Sequence, residues 1–154
     1  MKRGVSPLIA TVLLIGFTIA IGVIVYLWYG NIVKEQAEKQ SALSEIRSDC
    51  ATGIAISVND ACLSSGNILK VTVRNEKNLL IHGIRVRLNG DISELKTEKE
   101  ALNGLEEKQI DVRYNDEVGT INNIEVMPLI VRQGVAGTCS EQLVKYDTSN
   151  IGPC

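Results

Sequence analysis

Four cysteines, a single histidine and a few loop acids are the residues of this 154-residue sequence with the most obvious chemical potential. Cys50, Cys62, Cys139 and Cys154 stand far apart, with no CxxC pair among them, and His82 is the sole imidazole. That spacing argues against a zinc site, which needs clustered thiolates or imidazoles. It also leaves no second histidine to activate a serine or cysteine, and GxSxG, HExxH and a phosphate-binding glycine loop are all absent. His82, between Leu79-Leu80-Ile81 and Gly83, reads as a structural residue, because no general-acid or general-base partner is placed beside it. Asp111, Asp116 and Glu117 lack the spacing of an EF-hand loop and read as solvated acids. No catalytic residue, metal ligand or cofactor site is therefore expected, and the chain is expected not to be an enzyme.

The chemistry left to the cysteines is oxidation. An even number of separated cysteines, all beyond a long apolar run, fits an oxidising compartment outside the cytoplasm. Four cysteines allow three pairings. The expected pairing is Cys50 with Cys62 and Cys139 with Cys154, two local closures that staple the start and end of a small domain. The alternative, Cys50 with Cys154 and Cys62 with Cys139, implies that the first and last strands are neighbours.

A net charge of -2 and a pI near 5.5 provide no global positive field, so no nucleic-acid partner is expected. The charged stretch from Lys96 to Lys108 mixes both signs and reads as a wet face. There is no N-x-[ST] sequon.

The elements that position these residues begin with an anchor. From Gly4 to Val33 no residue is charged. As a helix the apolar string measures about 44 Å at 1.5 Å per residue, against about 30 Å for the hydrocarbon core of a bilayer. Ser6 and Pro7 suit an N-cap and a first helical position. Tyr26, Trp28 and Tyr29 cluster where the apolar run fades, the level at which amphipathic rings meet headgroups. The run is too long for a secretory signal's apolar region and is followed by KEQAEKQ, so it is expected to stay attached. Ala10, Gly16, Thr18, Ala20 and Gly22 provide small-xxx-small spacings that permit close helix approach.

Polarity rises after Val33, but KEQAEKQSALSEIRSD has strong helix formers and no glycine or proline, so one helix is expected to continue to about Asp49. Val33, Ala37, Leu43 and Ile46 lie close to one stripe, suited to receive the following domain or a neighbouring helix. Beyond Cys50 the period becomes two. Ile54-Ile56-Val58, Leu69-Val71-Val73, Ile84-Val86-Leu88 and Ile110-Val112-Tyr114 read as half-buried strands. Ile124, Val126 and Ile130 continue the pattern with Pro128 between them, which suggests an edge strand or bulge, and Gln142 to Tyr146 supplies a last strand. Ser93 to Leu105 is ambiguous between a short helix and a loop. The fold class expected is α+β: a long N-terminal hydrophobic helix followed by an antiparallel, immunoglobulin-like β-sandwich.

The start of the chain carries a specific resemblance. Lys2-Arg3-Gly4 followed by Val5-Ser6-Pro7-Leu8-Ile9-Ala10 resembles the signal of archaeal type IV pilins and archaellins, in which a short basic leader is removed at the cytoplasmic face before an apolar helix. The resemblance implies cleavage between Gly4 and Val5 by a membrane prepilin peptidase, with the helix retained. Taken with the periodicities and cysteines above, it divides the chain into a leader (1–4), a transmembrane or filament-core helix (5–33), an amphipathic helical extension (34–49) and an extracellular β domain (50–154). The fifth mature residue is Ile9, where the bacterial pattern has glutamate; archaeal members commonly lack that acid too. The function implied is a major or minor pilin that self-associates through its N-terminal helix into a surface filament for adhesion or surface contact. Before assembly it would be a single-pass membrane precursor with its C-terminal domain outside. The alternative from another class is a membrane-anchored extracellular binding module that does not polymerise.

Overall fold

The computed structural model describes residues 7–147 and 151–154. Helix α1 (Pro7–Ser48) runs without a break and passes into a π-turn at Asp49–Gly53. The absence of glycine and proline from Asn31 to Arg47 explains why the helix crosses the change from apolar to polar sequence without interruption. The chain divides into two compact units, one ending at Ser41 and one beginning at Ala42, so the last turns of α1 belong to the sheet unit.

Nine strands among the described residues form two sheets: β1 (Ile56–Ser64), β2 (Ile68–Asn75), β3 (Gly83–Asn89), β4 (Ser93–Glu98), β5 (Glu107–Arg113), β6 (Asn123–Arg132), β7 (Val135–Thr138), β8 (Val144–Asp147) and β9 (Gly152–Pro153). One sheet has the order β5-β2-β1-β9; the other has β4-β3-β6-β7, with β8 also paired to β6. All pairings are antiparallel except β1 with β9. The alternating residues read from the sequence form one sandwich core. Leu69, Val71, Val73, Ile110 and Val112 enter it from the first sheet, and Ile84, Val86, Leu88, Ile124, Val126 and Ile130 from the second. Each such side chain contributes about 1.5–3 kcal/mol by leaving water.

Several elements differ from expectation, each for a local reason. Ile54 is buried but precedes the first strand, because the π-turn delays its start to Ile56. The ambiguous segment after Ser93 begins with an edge strand, β4, whose charged outer residues obscure its period. Pro128 does not mark an edge: β6 is internal, paired with β3 on one side and with β8 and β7 on the other. Its carbonyl accepts from the Cys139 N–H at 2.9 Å, so its missing N–H falls on the same side, in the seam where β8 pairing stops at Val126 and β7 pairing begins at Leu129. Gln133 and Gly134, both at positive φ, make the two-residue β6–β7 hairpin, and β7 itself is not among the expected strands.

The disulfides also correct the expected pairing. Cys50 is bonded to Cys139 and Cys62 to Cys154, neither the local closures nor the stated alternative. Distance explains why. Cys62 lies six residues along β1 from Ile56, about 20 Å at 3.3 Å per residue, and a disulfide needs Cα atoms within about 7 Å. The observed pairs have Cα separations of 5.2 and 5.1 Å. Cys154 reaches Cys62 because β9 pairs in parallel with β1, placing Gly152 opposite Cys62, and the Cys154 N–H donates to the Leu63 carbonyl at 3.0 Å.

Within the sheet unit the helix end is held by one face. Ala42, Ile46 and Cys50, four residues apart, are buried, while Leu43 of the expected stripe stays exposed. Ile46 fills the space left by Gly137, where an added Cβ would stand 2.6 Å from its Cγ2. Replacing Gly137 by valine is therefore expected to lower stability by about 1–3 kcal/mol through overpacking. Urea unfolding of Gly137→Val and of Gly137→Val/Ile46→Ala checks this, with the second substitution recovering part of the loss if the contact is direct.

Candidate membrane and assembly surface

The helix unit carries the largest exposed apolar surface described. The segment beginning at Ile9 has a mean hydropathy of 2.5, none of that window is buried, and it is long and apolar enough to cross a membrane. Leu13, Leu14, Ile15, Phe17, Ile19 and Leu27 are all exposed, and at 100° per residue together they occupy every side of the helix. A helix hydrophobic all round needs a nonaqueous surrounding, whether lipid or other protein. Tyr26, Trp28 and Tyr29 are exposed at the end of the apolar stretch, with Lys34 as the first charge beyond them.

The small residues divide this surface. At 100° per residue, Gly16 with Ala20 and Thr18 with Gly22 form two pairs about 200° apart, on opposite sides of the helix. An added Cβ at Gly16 or Gly22 would meet nothing within 4 Å, so neither glycine is required by packing within the chain. The Thr18 hydroxyl donates to the Ile15 carbonyl at 2.9 Å, which satisfies the one polar group of that pair inside the helix. Ala10 is exposed near the beginning of the described helix. Lys2, Arg3, Gly4 and Val5, the expected leader and cleavage junction, lie outside the described residues.

Several polar and charged groups of the sheet unit are paired within it. His82 accepts the Val131 N–H through Nδ1 at 3.3 Å, and its backbone N–H donates to the Leu129 carbonyl at 2.8 Å, so its ring and its main chain each make one bond to β6. Asp111 stands opposite Lys70 in the β2–β5 ladder, and Asp116 accepts from the Asn67 side chain. Among the described residues no group of three or more histidines, cysteines or acids could hold a metal ion. Glu94 is partly desolvated, which raises its pKa, but the Lys96 ammonium at 2.7 Å and the Asn115 N–H outweigh this and hold the carboxyl below its ordinary range. Glu125 bridges β3 and β8, paired with Arg87 at 3.1 Å and Lys145 at 3.4 Å. A shallow groove of about 220 Å³ lies beside the Cys50–Cys139 bond, lined by Ile46, Arg47, Thr138, Ser140 and Glu141. Its polar groups form no nucleophile and base pair.

No family model matches the sequence, and no curated protein matches it. Among solved structures the chain is similar to the β-glucosidase EmGH1 of Erythrobacter marinus at 19% identity, over 60% of this chain and 14% of that chain, with a TM-score of 0.29. A likeness that slight carries no argument about fold or activity.

Proposed function

We propose that this chain is a structural subunit, major or minor, of an archaeal type IV pilus-like surface filament used for adhesion or surface contact. The observation that carries the reading is the helix: apolar and exposed around its whole circumference, it is attached to a sheet unit that has its own closed core. One surface then serves two surroundings, lipid before assembly and copies of itself afterwards. Small-residue pairs on opposite sides support contact with more than one neighbouring helix, which a filament core requires and a simple dimer does not. Two disulfides support a domain exposed outside the cell. In this account the precursor is a single-pass membrane protein, a prepilin peptidase cuts between Gly4 and Val5, and the mature helix moves into the filament.

Glutamate at Gly4 tests the processing step, because it puts a larger, charged side chain at a junction held at the membrane face by Lys2 and Arg3. Gly4→Glu is expected to leave essentially all of the protein at precursor mass, retained in the membrane fraction. A mutant protein of normal mature mass in filaments would contradict the reading of the leader.

A further inference from the structure

We infer that the Cys50–Cys139 disulfide forms a covalent bypass for tension, so that a pull delivered through the helix passes directly to the segment after β7 and is not carried only through β1 and the strands that follow it. Cys50 ends the buried stripe of the helix, and its bond to Cys139 spans 89 residues of sequence. The Cys62–Cys154 bond spans 92 and starts inside the first span, so the two rings overlap. Force arriving at Cys50 therefore has two covalent exits, onward into β1 or directly to the segment after β7.

Noncovalent ties at the helix end point to the same hairpin. Arg132 Nε donates to the Asp49 carboxylate at 2.7 Å, Gln133 Nε2 donates to the Glu45 carboxylate at 3.1 Å, and Ile46 packs on Gly137. The helix is thus clamped to β6 and β7, although β1 is the strand that follows it in sequence. Strand β6 is suited to receive load, being hydrogen-bonded on both sides. With the bypass, no residue between Cys50 and Cys154 is farther than about 45 residues of chain from the helix end, against about 104 without it, and extended length scales with that count. Local closures would have left the long stretch from Cys62 to Cys139 free to pay out. The inference holds whether lipid or a filament grips the helix.

Single-molecule pulling on the full chain in detergent tests it, with azide-bearing residues as handles at exposed Ser44 and Glu117. The shortest oxidised path between these handles is about 28 residues, so the fully extended domain is expected to stop at roughly 100 Å. Adding reductant to the same molecules is expected to lengthen this to roughly 250 Å, the reach of about 73 residues. Cys62→Ser/Cys154→Ser should keep the oxidised limit, whereas Cys50→Ser/Cys139→Ser should extend to roughly 190 Å through the remaining ring. An oxidised chain that reaches the reduced length, or one lengthened by loss of Cys62–Cys154, would overturn the inference. In situ reduction keeps the test valid if the Cys50→Ser/Cys139→Ser protein does not fold.

Discussion

Replacing Cys50 and Cys139 together by serine is expected to lower the stability of the sheet unit by about 3.5 kcal/mol, and reducing both disulfides by about 8 kcal/mol. The inequality comes from the crossing. While Cys62–Cys154 is intact, the Cys50–Cys139 bond closes a shortest loop of only about 27 residues, and the chain-entropy relation assigns that loop about 3.5 kcal/mol. Once one bond is gone, the other closes the full span of 92 residues and contributes about 4.6 kcal/mol. A small domain has about 5–15 kcal/mol in total, so the doubly reduced protein should be marginal or unfolded. Urea titration of the full chain in detergent, followed by strand circular dichroism with and without reductant, measures both quantities. A loss under 1 kcal/mol on reduction, or a peptide map joining Cys50 to Cys62, would contradict this account.

The second large effect is expected in the apolar helix. Aspartate at Gly16 places a carboxylate about three turns into the charge-free run, and near the middle of a bilayer such a group costs about 2.5–3.5 kcal/mol on insertion scales. Gly16→Asp is therefore expected to reduce membrane insertion strongly and to abolish filaments. Gly16→Leu separates the two surroundings. Leucine suits lipid and meets no neighbour within the chain, so insertion should be normal, but a leucine there would hold a second helix away, and filament yield should fall. Normal filaments from both variants would contradict a helical core packed at Gly16.

The anchor and the core were legible because each rests on a strong period. Thirty residues without a charge specify a long apolar helix, and four alternating triplets named most of the sandwich interior. Less was legible where pattern and position separate. Strand β4 is an exposed edge with little apolar signal, and β7 follows a Gln133-Gly134 hairpin whose first residue is an uncommon choice at positive φ. Pro128 looked like an edge marker because sequence does not reveal a seam between two partner strands. Disulfide pairing failed for a similar reason. Proximity in sequence favoured Cys50 with Cys62, but the strand between them carries Cys62 away, and only the parallel β1–β9 pairing brings Cys154 to it. The opposed small-residue pairs in the helix were visible residue by residue, whereas their arrangement on two faces follows from helix geometry.

The central claim is that the helix leaves the membrane as a processed subunit and enters a filament. Mass spectrometry of the N-terminal peptide, in sheared surface material and in membranes from the same cells, tests it most directly. The account predicts a peptide beginning at Val5 in the sheared fraction, with any chain that retains Lys2 and Arg3 confined to membranes. Full-length chain found in membranes alone, with no Val5 terminus in either fraction, would contradict it and favour an anchored module that does not polymerise.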